Sequence, residues 1–512
     1  MVQAVEGEAP VGPGVRVQLR SLGGGLVVTL SKSEALDAAA KLLELREGEQ
    51  ARLKKISAYM KGEASSVYVP KGARQEYKWL IRRARVNILP LVVTVVAQAL
   101  YVDGYRPAGS SQNARAWEIW QANRMDARQH GLHRAALKYG VAYAVVLPGE
   151  PVPVIKPKSP RRLTAFYADP VDDEWPEFAL EVTSRNTLKG KVKSVRLYDA
   201  THRYDMEARE TEAGKLRLVT AEEHGLGVCP VVRYLNGDDL DGDDCVRGEV
   251  EPLFEMQDQL NATTFNLLMA QQYAAFRQRW IAGMVVTDED GSPRAPFQAA
   301  VDRLWVAEDA DVKFGEFSQT DLSGYLQSIE ATIRNIATVS QTPPHHLLGQ
   351  MANLSAEALA AAESGLQRKI AERKSSFGES HEQMLRLASL AAGDREGWED
   401  IAAQVVWRDT EARSLSSTVD ALGKLVQMLQ VPPQELWERI PGVTQTDVER
   451  WKAAAERARR DADAMEQLNQ MLDRQLGGSG VPEQPDGESA GAAEGGGERV
   501  LEAADAVAEP AR

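Results

Sequence analysis

Apolar and polar positions recur along this chain with two different periods, and each change of period marks a region. Over residues 33 to about 59, Leu36, Ala39, Leu42, Leu43 and Ile56 fall at roughly helical spacing among charges, which predicts a surface helix ending at a Gly62 break. Residues 75–101 place Trp79, Ile81, Val86, Leu89, Leu91, Val92 and Val95 around helices interrupted by Pro90. A further helix is predicted over 114–139, stopped by Gly140, a residue suited to the left-handed helix end. From 141 to 236 the period shortens to β-type runs at 142–147, 178–182, 192–198, 216–219 and 228–234, separated by Gly, Pro and Asn.

The helical period returns at about 250–277, with Val250, Leu253, Phe254, Leu260, Phe265, Leu268 and Phe276 as the apolar stripe. Its other faces carry Gln257, Asp258, Gln259, Asn261, Gln271 and Gln272. That pattern fits packing beside copies of itself and an ordinary half-buried helix equally well. A strand-and-turn excursion follows at 278–319, with an Asp288 to Pro293 turn at its tip. Ser318 and Asp321 then stand at capping-box spacing before a second stripe, Leu322, Leu326, Ile329, Ile333 and Ile336, so two helices bracket the excursion. Thr342-Pro343-Pro344 ends that helix, a loop runs to Leu354, and Ser355 caps a helical pattern persisting to Gly393, with Gly365 and Gly378 as places to bend. A helical cluster punctuated by Pro432-Pro433 and Pro441-Gly442 extends to about 476. Residues 1–32 lack helical period and read as a loose arm, and 477–512 have the Gly, Ala, Glu and Pro composition of a disordered acidic tail.

Composition narrows the class. At 512 residues, with 43% hydrophobic and 26% charged residues, the chain has length for several regions and a mostly α bias with one α+β region. Two cysteines, Cys229 and Cys245, are too few for a disulfide scaffold, and 1–10 do not resemble a secretory signal, so an intracellular assembly site is expected. The most apolar stretch, 88–102, is too short to span a bilayer, so no membrane is expected. A net charge of −14 disfavours gripping nucleic acid and suits a conduit past which a polyanion slides. The basic face of Lys78, Arg82, Arg83 and Arg85 is read as solvated or pairing with another subunit.

Catalytic motifs are missing from the sequence. There is no Walker A string, no zincin spacing after His381-Glu382 and no G-x-S-x-G, and Gly225-Leu226-Gly227 lacks the third glycine of a dinucleotide fingerprint. The acidic run Asp238 to Asp244 fails the EF-hand register at Gly237 and Gly248, which leaves a solvated turn with at most adventitious divalent binding. His345 and His346 are adjacent on an expected loop and have no Cys or carboxylate cluster beside them in sequence, so no metal, cofactor or catalytic residue is assigned.

Several strings resemble, in order along the chain, the portal proteins of tailed bacteriophages, in particular the branch frequent in phages of actinobacteria. They are Trp120 to Asn123, Met125 to His130 and Ala136 to Gly140; His224 to Gly227 and Pro230 to Val232; Gln257 to Asn261; and Ser340 to Gly349 followed by Asn353 to Ala358. Each is modest alone, and their collinearity over about 33–475 carries the resemblance. It implies a wing at 33–249, stem helices at 250–277 and 320–341, a clip at 278–319, a channel loop at 342–354, a long wing helix at 355–393 and a helical crown at 394–476.

The loop would present His345, His346, Leu347, Leu348, Gln350 and Asn353 to DNA, and Leu260, Leu268, Leu326, Ile329 and Ile333 would pack the stem. The implied function is non-enzymatic: a dodecameric ring at one capsid vertex of the virion, a conduit for packaging and ejection. Its partners would be its own copies, the terminase packaging motor, the head-tail adaptor, major capsid and scaffold proteins, and double-stranded DNA touched transiently without sequence readout. The alternatives are another phage structural component, such as a minor capsid or adaptor protein, and a metal-dependent nuclease built on the acidic run.

Overall fold

The computed structural model describes residues 30–64, 75–107, 113–187, 190–209, 215–237, 246–274, 279–282, 311–316, 321–349, 356–408, 415–440, 443 and 445–476. The expected arm to residue 29, the turn at 288–293, the acidic run at 238–244 and the tail from 477 lie outside them. The chain divides into two units, one of 1–429 with 439–441 and one of 430–438 with 442–512.

In the first unit, α1 (Lys32–Met60) starts one residue earlier than expected, with Ser31 as its cap. The Ser31 hydroxyl accepts from the Glu34 amide and the Glu34 carboxylate accepts from the Ser31 amide, a capping box. The helix is less superficial than its charges suggest. Ala35, Ala39 and Leu42 pack on one core and Leu53, Ile56 and Tyr59 on another. Two further helices follow, α2 (Gln75–Arg83) and α3 (Leu89–Gln98). Pro90 does not interrupt a helix; it sits in the first turn of α3, where its missing N–H has no intrahelical partner to lose. α3 buries Leu89, Val92, Val93 and Val96, and no helix among the described residues is long and apolar enough to cross a membrane.

After β1 (Val102–Arg106), the helix expected over 114–139 is two, α4 (Ala116–Ala122) and α5 (Met125–Tyr139). Arg124 breaks them with φ of 54°, and Asn123 holds the break: its amide donates to Ile119 O (2.9 Å) and Pro153 O (2.8 Å), and its oxygen accepts from Ile155 N (2.9 Å). α5 does end at Gly140, as expected, with φ of 89°. Eight strands follow: β2 (Val141–Leu147), β3 (Val154–Lys158), β4 (Leu163–Phe166), β5 (Phe178–Thr187), β6 (Gly190–Tyr198), β7 (His202–Arg209), β8 (Leu216–Glu223) and β9 (Val231–Leu235). They form an antiparallel β3-β2-β9 sheet and a five-stranded antiparallel meander, β4 to β8. α1 covers the meander through Leu180, Val195, Leu197, Tyr204 and Met206.

A short 3-10 turn, Glu251–Leu253, leads into α6 (Phe254–Ala274). The strand-like excursion is present as an antiparallel pair, β10 (Arg279–Ala282) with β11 (Lys313–Glu316). α7 (Ser323–Val339) then begins on Asp321, whose carboxylate accepts from the Ser323 amide and hydroxyl; Ser318 lies outside the described residues. Next come α8 (Pro344–Leu348) and α9 (Ala356–Ala391), whose 36 residues give a helix about 54 Å long. α10 (Arg395–Glu399) packs back on α9, and β12 (Gln404–Trp407) pairs with β1, so 394–407 belong with the α+β region and not with a crown. Gly378 is where α9 passes β12, and a Cβ there would lie 3.6 Å from Trp407 and Val405. α11 (Leu415–Leu429) closes this unit. The second unit holds α12 (Pro433–Leu436) and α13 (Gln445–Leu476), with Trp437 set edge-on to Trp451.

The main core joins α3, α4, α5, β2, β9 and α9, and at its centre lies a buried polar chain. His133 Nδ1 reaches Leu100 O (3.2 Å), His133 Nε2 meets His381 Nε2 (2.8 Å), and His381 Nδ1 meets Tyr234 Oη (3.0 Å). One tautomer set satisfies all three: His133 donates to the carbonyl, His381 donates to His133, and Tyr234 donates to His381. Burial pushes His133 down to about 3 and holds His381 well below the ordinary histidine range of about 6.5. The unfolded chain therefore takes up two protons near pH 6.5 that the fold refuses, so stability is full above that pH and falls as pH drops towards 3. The slope is about 1.4 kcal/mol per pH unit for each histidine. The melting temperature is expected to fall clearly between pH 7 and pH 5, and His381→Gln, neutral throughout, should flatten that dependence.

Candidate functional site

The region that the sequence marks for function is the pair α6 and α7 and the corner through α8 into α9. α6 is set in place by side chains. Gln257 accepts from Ile88 N (3.2 Å) and donates to Val86 O (2.7 Å), while Asn261 accepts from Val86 N (3.1 Å). Those two amides satisfy the non-helical backbone between α2 and α3. Asp258 accepts from the Tyr59 hydroxyl (2.7 Å), and Tyr59 stacks on Phe254 with ring centroids 4.0 Å apart. Part of the amide-rich face therefore serves this chain's own fold and is not available to a copy. Arg52 of α1 grips Glu251 through Nε and Nη2 (2.8 and 2.5 Å), which fixes the entry to α6.

Just before α6 the backbone crosses the end of α5 at very short range. Glu249 N donates to Leu137 O at 2.8 Å, and Asn236, just past β9, donates its Nδ2–H to Arg247 O at 3.2 Å. The crossing needs glycine on both strands of chain: a Cβ on Gly140 would lie 1.8 Å from Val246 O, and one on Gly248 would lie 2.3 Å from Lys138 O.

The Glu249 side chain then turns to α9, where Lys369 Nζ contacts one carboxylate oxygen and Arg373 Nη2 the other at 3.2 Å. Lys369 also donates to Ser340 O at the end of α7 (2.9 Å). All three side chains are at least 87% buried, with exposures of 8%, 5% and 13% for Glu249, Lys369 and Arg373. One ionic node thus joins the base of α6, the end of α7 and α9. Sequence inspection missed it, because its members lie 120 residues apart and each is an ordinary charge on a helical pattern.

The expected packing residues separate into three groups. Leu260 is fully buried, and Ile333 is nearly so. Leu268 and Ile329 are half-buried, Leu268 against Phe265 and the α2 cluster and Ile329 against the main core. Leu326 is 53% exposed on α7, and Val339, at the other end of that helix, is 48% exposed.

The expected loop at 342–354 is partly helical, because two prolines start α8 in the one place a helix accepts them and Gly349 ends it. Leu347 and Leu348 lean half-buried on the main core. Gln350 and Asn353 lie outside the described residues. His345 and His346 both turn to one carboxylate oxygen of Glu363 on α9, Nε2 to Oε1 at 2.8 and 2.9 Å. The expectation that adjacent histidines diverge and lack a carboxylate is therefore overturned; the partner is 17 residues along the chain. Among the described residues these three are the group with donor atoms placed to share a metal ion, all within 4.8 Å of one another.

Comparison with known proteins agrees with this architecture. The family described as phage portal protein, SPP1 Gp6-like, matches residues 41–461. The portal protein of Mycobacterium phage D29 is 26% identical over 361 residues, covering 67% of this chain and 72% of that protein. The portal protein of Mycobacterium phage L5 is 26% identical over 401 residues, covering 71% and 75%. Among solved structures, a chain from the neck of a native GTA particle computed with C12 symmetry is 13% identical with a TM-score of 0.43, covering 76% of this chain and 98% of that one. One from the neck of an empty GTA particle computed with C6 symmetry is 14% identical with a TM-score of 0.42, covering 72% and 93%. With the family's pattern running from within α1 into α13, this mostly α chain with its α+β region belongs to the SPP1 Gp6-like family of phage portal proteins.

Proposed function

We propose that twelve copies of this chain form a ring at one capsid vertex, through which DNA enters and leaves. In this reading α6 and α7 are the stem, the β10–β11 excursion is the clip that meets the terminase packaging motor and the head-tail adaptor, and 342–354 face the channel. Major capsid and scaffold proteins would contact the outer regions during assembly, before the ring is built into the virion. The observation that supports it most is the apolar stripe of α7: Ile333 and Ile336 are buried inside the subunit while Leu326, two turns before Ile333 on the same face, stays exposed, as a helix whose first turns meet a neighbouring copy requires. A ring built from one such face against a different one closes by a heterologous contact. The His345 and His346 side chains are engaged by Glu363, so contact with DNA from this segment would fall chiefly to Gln350 and Asn353. The segment from 342 to 354 carries no Lys or Arg, which suits passing contact with phosphate over tight binding.

Electron-microscope images of the purified protein test the proposal. Rings with a central hole are expected, with 342–354 at its rim in a reconstruction; monomers or solid particles would refute it. Leu326→Asp sharpens the test. In the lone subunit it is a surface change within about 0.5 kcal/mol, but in an apolar seam an unpaired carboxylate costs several kcal/mol. The variant is expected to give monomers by light scattering with an unchanged subunit melting temperature.

A further inference from the structure

We propose that His345, His346 and Glu363 form a binding site for a divalent transition-metal ion of the zinc type, tying α8 to α9. Successive residues of a helix point about 100° apart, so neighbouring side chains do not ordinarily meet at one atom. Here α8 is a single turn, its two imidazoles lie with centroids 4.4 Å apart and 34° between planes, and α9 supplies the third donor where they converge. Both Nε2 atoms approach the same Glu363 oxygen, at 2.8 and 2.9 Å.

Ligand atoms about 2.0–2.1 Å from a tetrahedral ion sit about 3.3 Å apart, so the two histidine–Glu363 separations have to open by only about 0.5 Å to admit it. The side-chain exposures, 12% for His345, 34% for His346 and 24% for Glu363, leave the cluster anchored yet reachable, with water free to fill a fourth position. Two imidazoles and one carboxylate are a zinc-type donor set with an open position, whereas magnesium and calcium take sites built of oxygen. Without the ion the same atoms hold together by hydrogen bonds, each imidazole donating its Nε2–H to the carboxylate, so the corner is already shaped for the metal.

Full-length protein stripped with EDTA and transferred to chelator-free buffer would be titrated with zinc chloride by calorimetry. One ion per chain at micromolar concentration is expected, undisturbed by excess magnesium. His346→Ala and Glu363→Gln should each weaken zinc binding at least about tenfold while melting like the parent in EDTA. Cobalt(II) in the unaltered protein should show the intense visible absorption of a tetrahedral site, a readout that stands even if a variant fails to fold. No zinc uptake, uptake unchanged in both variants, or only weak octahedral cobalt bands would each overturn the assignment.

Discussion

Gly140→Ala is expected to destabilise the subunit by on the order of 3–5 kcal/mol, enough to abolish soluble protein. Two costs add. A side chain in the left-handed region, at φ of 89°, costs about 1–2 kcal/mol. The new Cβ would also stand 1.8 Å from Val246 O, so the 246–249 backbone must retreat. Retreat strains the Glu249 N to Leu137 O and Asn236 Nδ2 to Arg247 O hydrogen bonds, and leaving such buried groups unpaired costs about 1–3 kcal/mol. Gly227→Ala separates the two costs. Gly227 has φ of 73° but open space around its missing Cβ, so its variant should lose only the backbone part. Urea unfolding of both checks this; equal losses would mean that the crossing does not constrain the fold. Gly248→Ala, which meets Lys138 O from the other side, should resemble Gly140→Ala.

Glu249→Ala is expected to cost about 3–5 kcal/mol by a different route, since it leaves two buried cations facing one another without their shared anion. Lys369 would keep Ser340 O and Arg373 would keep Glu372, but neither contact neutralises charge inside the node as Glu249 does. The loss should appear as a lower urea midpoint, with earlier loss of hydrogen-exchange protection in α9 near 369–373 and at the end of α7. Because the desolvation cost is what dominates, a Glu249→Leu, Lys369→Met double variant should recover part of the loss despite having fewer ionic contacts. If Glu249→Ala melts like the parent, water reaches the node and the coupling of α9 to the base of α6 lies elsewhere.

The long elements were legible in the sequence because burial imposes a period on them. Ile333 and Ile336, Leu260 and Phe265, and Leu89 and Val92 all fall where helical spacing puts them. Gly140 was legible as a helix stop, though not as a crossing point, since nothing local tells that Gly248 arrives opposite it. The misses have physical causes too. β7, with Arg203, Asp205 and Glu207 alternating against Tyr204, Met206 and Ala208, is a strand with one charged face, and a search for apolar runs passes over it. The split between α4 and α5 rests on the side chain of Asn123 reaching Pro153 and Ile155, a tertiary effect with no periodic trace. His345 and His346 looked solitary because their carboxylate belongs to the next helix. At the α6–α7 pair, pattern alone did not separate Leu326 from Ile333, which share one face two turns apart; only the folded subunit shows which end of that stripe is left uncovered.

The pairing of β1 with β12 sets an order of events during synthesis. Asp103 and Arg408, which meet beside that pairing at 2.8 Å, are 305 residues apart. At about 5–20 residues per second, a ribosome needs roughly 15–60 s between making the two. Until then β1 has an open edge, and the core side that receives Phe377, Met384 and Leu385 from α9 is empty. The nascent subunit is thus incomplete on its α+β side while the α6–α7 pair has already emerged, and contacts requiring a finished subunit must wait for the last fifth of the chain. Late closure of this kind acts as a timer: a chain truncated before residue 404 would lack β12, the strand that pairs with β1, and could not complete this region.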